Sequence, residues 1–206
     1  MARPQTISDQ QILETALKCF LEHGPAVSTD VIAAELGVSS QAIFKRFHNK
    51  QELLIESVKP REDPNWIGII ENGPDERSFQ IQLAELLNEL AVFFTDIVRR
   101  MELLRWSGVA IQEIMQSFEE PPPVRDIRKI STWLERCHAK DLIREIDFDA
   151  TAMIILTSMH GPAMLREFLG RNATNHSEQE YISLYTNMLM HGLCHSTDFE
   201  LNTKEL

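Results

Sequence analysis

The chain has 206 residues, of which 43% are apolar, and a formal net charge of −11, so it has the length and apolar content to build one or two globular cores. No run approaches the roughly 20 consecutive apolar residues of a transmembrane helix, so the sequence predicts no membrane span. The first residues hold no apolar signal segment and the three cysteines are widely spaced, so we expect reduced thiols, no disulfide framework and a cytoplasmic location.

Two short helices are predicted at the start of the chain. Ser8, with Gln11 three residues later, forms a capping-box pattern, and the apolar stripe that follows ends at Gly24, which precedes a proline. Ser28 is the predicted cap of a second helix that ends near Leu36.

Two further short helices are predicted next. Ser39 caps a third helix that runs through Phe47. Asn49 caps a fourth, in which Glu52 completes a second capping box, and we expect Pro60 to end it.

The remainder of the chain contains longer helical patterns. Residues 59–76 hold several prolines and glycines and predict a connector. Beyond it, apolar residues recur at helical spacing in 80–105, 109–118, 124–142, 147–169 and 177–194. No segment of useful length alternates as a β-strand does, so the sequence predicts an all-α protein of about nine helices.

The segment 28–50, STDVIAAELGVSSQAIFKRFHNK, has the features of a helix-turn-helix unit. The small side chain of Ala33 allows the two helices to cross closely, Gly37 permits a turn with positive φ, and Val38 fills the space between the helices. Ser39 satisfies open N–H groups at the start of the second helix. In such a unit the second helix enters the DNA major groove.

Polar side chains on this second helix are candidates for DNA contact. Ser40 and Gln41 lie at its start and are the candidates for base contact, because a glutamine can bond adenine bidentately. Lys45 and Arg46 lie one turn later, where they can contact phosphates or, for one of them, a guanine edge.

Charge is distributed unevenly along the chain. Residues 37–61 hold five cations against two carboxylates and carry +3, while the rest of the chain carries −14. Asn49 and Lys50 place open backbone N–H groups and an ammonium at the start of the fourth helix, which suits a phosphate. Because the global field repels DNA, any contact with DNA must be local and oriented.

At these residues the chain resembles the tetracycline-repressor (TetR) family of bacterial regulators. The resemblance covers about the first 57 residues with the distances between its elements intact, and a much weaker likeness lies at residues 141–147. The matching positions are Ser28, Ile32, Ala33, Gly37, Val38, Ser39, Ile43, Phe44, Phe47, Asn49, Lys50 and Leu53.

The resemblance implies a three-helix DNA-binding domain in residues 1–58 and a larger helical domain in residues 59–206. The larger domain would bind a small-molecule effector and form a homodimer through its last two long helices. The implied contacts to double-stranded operator DNA are Ser28, Thr29, Ser39, Ser40, Gln41, Ala42, Phe44, Lys45, Arg46, Asn49 and Lys50. The aromatic and methionine candidates for a ligand pocket are Phe94, Trp106, Met115, Trp133 and Met164.

Three features depart from the family pattern. Phe44 replaces the usual tyrosine and lacks a hydroxyl that often bonds phosphate. Gln41 and Ala42 replace the commoner glycine and hydroxylated residue, so the operator sequence cannot be borrowed from a relative. Pro60 lies where the fourth helix often continues, so the route from the ligand domain to DNA can differ here.

Other chemistry is weaker in the sequence. His191, Cys194 and His195 have the i, i+3, i+4 spacing of metal ligands, but no fourth ligand accompanies them, so we favour a helix end with a buried thiol and predict no metal. No catalytic motif occurs, so we predict neither an enzyme nor a cofactor.

The sequence therefore predicts a ligand-responsive transcriptional repressor that binds a palindromic operator as a homodimer and is released by a small molecule. Two alternatives stay open. One is a regulator of the same fold that activates transcription or organises DNA without a ligand. The other is a helical enzyme or interaction module in which the motif is accidental.

Overall fold

A computed structural model describes residues 7–116 and 118–193. Within those residues the chain forms ten α-helices and no β-strand, which confirms the all-α prediction. The helices are α1 Asp9–His23, α2 Thr29–Leu36, α3 Ser40–Phe44, α4 Lys50–Val58, α5 Asn65–Asn72, α6 Phe79–Trp106, α7 Ile111–Gln116, α8 Pro122–Ala139, α9 Phe148–Leu169 and α10 Glu178–Leu193.

Polar side chains cap the start of several helices, and the capping box at α1 is one that the sequence predicts. At α1, Ser8 Oγ accepts from the Gln11 N–H (3.2 Å) and Gln11 Oε1 accepts from the Ser8 N–H (2.9 Å). Asp147 caps α9. Before α10, Ser177 and Glu180 exchange the same pair of bonds (3.2 and 2.7 Å). These caps satisfy N–H groups that have no partner within the helix.

Helix α5 lies inside the segment 59–76, for which the sequence predicts a connector. Pro64 stands at its N-cap and Gly73 at its C-cap, so the residues that suggested a connector mark the two ends of a helix. Between them, Trp66, Ile67 and Ile70 share one face and are buried. This apolar spacing was the signal for a helix, and the helix raises the count from nine to ten.

The helices group into two compact units. The first comprises Met1–Asp63 with Asp96–Glu119, and the second comprises Pro64–Thr95 with Glu120–Leu206. Helix α6 thus contributes its first turns to the second unit and its last turns to the first. The domain division into residues 1–58 and 59–206 stays a prediction beside this grouping.

The core of the first unit is built from α1–α4 and the end of α6. Phe20, Ile43 and Leu53 are fully buried within it. Leu103 and Leu104 of α6 belong to the same buried cluster. Each such leucine stabilises the unit by about 1.5–3 kcal/mol through burial of its apolar surface.

The core of the second unit contains two fully buried tryptophans, Trp66 of α5 and Trp133 of α8. The ring of Phe79 stacks on Trp133, with ring centroids 5.7 Å apart. On α9, the residues that face this core include Ile155 and Met159, which are buried. Pro162 lies within α9 and the helix continues past it to Leu169.

The loop between α5 and α6 is fixed by one buried amide. Gln82 Oε1 accepts from the Asp75 N–H (2.9 Å), and Gln82 Nε2 donates to the Arg77 carbonyl (2.7 Å). A Cβ at Gly73 would lie 2.9 Å from the Ile69 carbonyl oxygen, so this position requires a glycine for space. Among the residues described, no helix is both long and apolar enough to cross a membrane.

Candidate nucleic-acid interface

The turn between α2 and α3 has the geometry that the motif predicts. Ser28 Oγ accepts from the Val31 N–H (3.4 Å) at the start of α2. Gly37 has φ 66°, the left-handed region that glycine enters without strain, and the Val38 N–H donates to the Ala33 carbonyl (3.0 Å). Ser39 Oγ then caps α3 through the Ala42 N–H (3.3 Å).

Helix α3 has one buried and one exposed side. Ile43 of α3 is buried against α1, α2 and α4, as the spacing predicts. Phe47, which lies at the end of the turn after α3, is buried in the same core. Gln41, Phe44 and Lys45 are exposed on the other side. The helix is shorter than predicted, because the chain leaves the α-helical path after Phe44 and continues in turns through Phe47.

Arg46 is held by its own chain. Its Nη1 donates to Asp9 Oδ1 (2.8 Å) and to the Ile7 carbonyl (2.5 Å), so the guanidinium fastens the turn after α3 to the start of α1. Lys45 and Lys50 form no ion pair within the part of the chain that the structure describes. The two lysines therefore offer the more available charges.

Asp30 and Ser40 connect the two helices of the motif. The Ser40 hydroxyl donates to Asp30 Oδ1, and both residues lie at the surface. Neither Asp30 nor Asp9 was predicted from the sequence, because each carboxylate meets its partner only in the folded chain. For Asp30 a partial signal existed, since it lies in the first turn of α2 and Ser40 is the first residue of the next helix.

Some predicted DNA contacts also have a structural task. Ser28 and Ser39 cap α2 and α3 with their side-chain oxygens. Thr29 is only 8% exposed, so little of it can reach a ligand. Ala42 is half-buried, whereas 40% of the surface of Phe44 is exposed.

At the start of α4, the predicted cap is confirmed and its partner differs. Asn49 Oδ1 accepts from the Glu52 N–H (2.8 Å). Glu52 Oε2 accepts from the His48 N–H (3.0 Å) and lies 2.9 Å from His48 Nδ1. The partner of the Glu52 carboxylate is therefore His48 and not Asn49, as a capping box would require. Lys50, the first residue of the helix, forms no ion pair with a carboxylate among the described residues.

Residues 12–56 match the model of a known family, the bacterial regulatory proteins of the tetR family. The matched segment runs from α1 to α4 and contains the whole α2–turn–α3 unit. This segment of the chain is therefore similar to that family of regulatory proteins. No protein with a curated description matches the chain as a whole.

Solved structures, among them two of TetR-family transcriptional regulators, share the fold of nearly the whole chain. A transcriptional regulator of Mesorhizobium loti has a TM-score of 0.70 at 16% identity and covers 91% of this chain and 96% of its own. A regulator of Pseudomonas syringae pv. tomato has a TM-score of 0.62 at 19% identity, with coverage of 92% and 98%. The complex of SmeT with triclosan has a TM-score of 0.59 at 20% identity and covers 95% of both chains.

At these identities the likeness to the solved structures establishes the fold alone. The family match adds that residues 12–56 are similar to bacterial regulatory proteins of the tetR family.

The second unit contains a cavity of about 300 Å³. It is formed by the second half of α9, the loop that follows and the start of α10, together with Ala91 of α6. Most of its lining is apolar, and Arg166 supplies a cationic group that donates to Glu178 (2.7 Å) and Thr95 (3.1 Å).

None of the five predicted pocket residues lines this cavity. Trp106 and Met115 belong to the first unit, and Trp106 is 76% exposed. Phe94 and Trp133 are buried in the second unit, where Trp133 takes part in the core. Met164 is half-buried on α9. The assignment of these five residues to an effector site stays a prediction.

Two titratable groups of the second unit, the half-buried His160 and the buried Cys137, have shifted pKa values. Burial lowers the pKa of His160, whose ring meets the Phe94 ring edge to face at 5.2 Å. Burial raises the pKa of the Cys137 thiol to about 12, so this cysteine stays protonated and unreactive.

The metal hypothesis concerned residues at the end of α10. His191 is exposed, whereas Cys194 and His195 lie outside the described residues. In the described part, no group of three histidine, cysteine or acidic side chains is arranged to hold a metal ion.

Helices α9 and α10 expose apolar side chains opposite their buried sides. We call these residues the α9/α10 apolar face. On α10, Met188 is 65% exposed and Leu184 lies one turn before it. The members of the face are Met153, Ile154, Leu165, Phe168, Leu169, Leu184 and Met188.

Proposed function

We propose that this TetR-family regulator is a repressor that binds a palindromic operator as a homodimer and leaves it when a small molecule binds. The observation that carries the proposal is the exposed side of α3, where the side chains of Gln41 and Lys45 have no partner within the described chain. The half-buried Lys50 at the start of α4 likewise forms no ion pair there. Lysines beside a recognition helix suit phosphates, and an exposed glutamine at the helix start suits a base edge.

The contacts to DNA divide by chemistry. Lys45 and Lys50 would bind phosphates, and Gln41 would read a base edge in the major groove. Arg46 would instead hold the interface in shape, because its guanidinium already bonds Asp9 and Ile7. Phe44 can pack against a sugar or a thymine methyl group.

The α9/α10 apolar face supports a dimer through the last two long helices. The seven residues of this face are large, apolar and exposed on two helices that follow one another in the chain, and exposed apolar patches mark interaction surfaces. A second copy supplies the same surface, as an isologous two-fold interface requires. Two recognition helices related by that axis would read the two halves of a palindrome.

The cavity of the second unit supports a small-molecule effector. Its volume of about 300 Å³ lies at the lower end of the range for ligand sites. The structure of SmeT with triclosan is that of a fold relative with a bound small molecule. To move operator occupancy from nearly complete to nearly none, the effector must favour the non-binding conformer by about 5.5 kcal/mol.

The charge distribution suits such a regulator. The acidic remainder of the chain, at −14, would oppose adhesion to random DNA, while the +3 segment binds locally. We place its action in the bacterial cytoplasm, where the operator is, and assign it no catalytic reaction. The cavity favours the ligand-responsive reading over a ligand-free activator or DNA organiser.

The test is selection of bound fragments from a random duplex pool with the whole purified protein, followed by fluorescence anisotropy of the selected duplex at two salt concentrations. We expect one palindromic site, a steep fall in affinity with salt and the mass of two chains per duplex. Absence of any enriched sequence would reject DNA recognition. An enriched site without two-fold symmetry would reject the dimer and keep the DNA-binding domain.

A further inference from the structure

The carboxylate of Asp30 and the hydroxyl of Ser40 lie side by side on the surface of the α2–turn–α3 unit. Ser40 donates its proton to Asp30 Oδ1. Asp30 lies in the first turn of α2, and no cation is within ion-pair distance of it among the described residues. No described residue therefore neutralises the negative charge of Asp30.

The pair can accept hydrogen bonds and has none to donate. An ionised carboxylate is an acceptor only, and a serine hydroxyl has one proton, which is here already committed to Asp30. Ser40 and Asp30 thus present lone pairs to whatever lies over the start of α3.

Most groups on DNA would be repelled by such a pair. Phosphates are anionic, and the major-groove edges of guanine and thymine offer acceptors. The only donors in the major groove are the exocyclic amino groups of cytosine and adenine. Adenine places the acceptor N7 beside its amino group, whereas cytosine has no acceptor there, so cytosine suits the pair best.

We propose that Asp30 and Ser40 form an acceptor-only site that selects cytosine at one position of each operator half-site, with adenine as the second choice and guanine or thymine rejected. This inference rests on the proposed DNA-binding function. It makes Asp30 a specificity residue that works partly by repulsion, because the carboxylate disfavours every sequence that lacks an amino group at that position.

Gln41 has the complementary chemistry. Its amide both donates and accepts, and no described residue bonds it, so it can pair with adenine N6 and N7. Ser40 and Gln41 are adjacent in the chain, so the half-site should contain a cytosine close to a position read by Gln41. The two contacts are separable, because only the first depends on Asp30.

A purely structural role for the pair makes a different prediction. If the bond between Asp30 and Ser40 only fastened α2 to α3, a change that keeps the bond would leave base preference unaltered. Asp30→Asn is such a change, because the amide oxygen still accepts the Ser40 proton while the amide nitrogen adds a donor. The matched control is Glu35→Gln, which removes the same charge from an exposed position on the same helix.

The experiment repeats the random-pool selection with the wild type, Asp30→Asn and Glu35→Gln, and measures affinity for duplexes that carry each base at every half-site position. We expect the wild type and Glu35→Gln to prefer cytosine over guanine at one position by about tenfold, within the usual effect of one mismatched pair. Asp30→Asn should lose that preference and keep the preferences at the other positions. Unchanged preferences in Asp30→Asn would overturn the inference.

A second measurement uses the wild type alone, so it does not depend on the folding of a variant. N4-methylation of the selected cytosine blocks its groove-facing hydrogen and should lower affinity about tenfold, the effect of one lost base contact. Methylation at the neighbouring C5 should change affinity less. Equal effects of the two methyl groups would reject the acceptor-only site, whereas a wild type that selects no sequence would reject the proposed function itself.

Discussion

The two structural units use their charged side chains in different ways. In the second unit, Arg128 pairs with Glu120 (2.6 Å) and Lys129 pairs with Glu71 (2.7 Å), while Arg144 donates to the Gly192 carbonyl (2.6 Å). In the first unit, Lys59 pairs with Glu56 (2.6 Å), whereas Lys45 and Lys50 have no carboxylate partner in the described chain.

The units also differ in what they expose. The first unit presents polar and cationic groups around a short helix, while α9 and α10 of the second present the α9/α10 apolar face. An unpaired cation attracts an anion, and an exposed apolar face favours contact with another apolar surface. The comparison therefore agrees with the proposal that the first unit binds DNA and that the second unit forms the dimer and binds an effector.

The largest expected effect, on the free energy of unfolding, tests whether the end of α6 belongs to the core of the first unit. Leu104→Ala removes a leucine that is 1% exposed in the core of the first unit and should cost about 2–5 kcal/mol. Hydrogen exchange should show lost protection in α1 and α4. The control Ile81→Ala, at an exposed position of the same helix, should change stability by less than about 0.5 kcal/mol. Loss of protection confined to α8–α10 would contradict the division.

The next effect concerns the α9/α10 apolar face. Met188→Glu places a charge on that face, and we expect the dissociation constant of the dimer to rise at least about a hundredfold, because the carboxylate would be buried without a partner. Analytical ultracentrifugation measures it. Ile81→Glu, at another exposed apolar position of the second unit, is the control and should leave the dimer intact. A dimer that survives Met188→Glu unchanged must use another surface.

A smaller effect distinguishes the cations of the first unit. Lys45→Ala and Lys50→Ala should each weaken binding to all sequences about tenfold and lower the slope of log affinity against log salt by about 0.9. Arg46→Ala should leave the slope nearly unchanged and lower the free energy of unfolding by about 0.2–1 kcal/mol, because its pair with Asp9 is exposed. Anisotropy titrations over a salt series decide between them. A slope that falls only in Arg46→Ala would reverse the assignment.

The smallest effect is a pH dependence in the second unit. Burial lowers the pKa of His160 below its ordinary 6.5, so at mildly acidic pH the unfolded chain binds a proton that the folded chain does not. Stability should therefore fall as pH drops below about 6.5, by at most about 1.4 kcal/mol per pH unit, and level off below the folded pKa. Denaturant unfolding between pH 7 and 5 checks this. If His160→Gln keeps the same slope in that window, another group causes it.

The sequence predicted much of the first unit because its signals are local. Ser28, Gly37, Ser39 and Asn49 act on backbone groups within three or four residues, so the residue type and spacing suffice to identify each cap or turn. The all-helical class of the second unit followed from apolar spacing for the same reason.

What could not be predicted joins residues far apart in the chain. Arg46 meets Asp9 across 37 positions, and Leu104 joins a core formed by α1–α4. Helix α5 was missed because Pro64 and Gly73 were given more weight than the apolar residues between them. The cavity escaped prediction since its lining depends on how α9, α10 and the intervening loop pack.

The most direct test of the central claim is a hydroxyl-radical footprint of the wild-type protein on its selected operator. We predict two protected patches on the backbone flanking major grooves, related by two-fold symmetry and about one helical turn of DNA apart, as two recognition helices of one dimer require. A single protected patch would contradict the paired use of the α2–turn–α3 units. Protection centred on a minor groove would contradict the entry of α3 into the major groove.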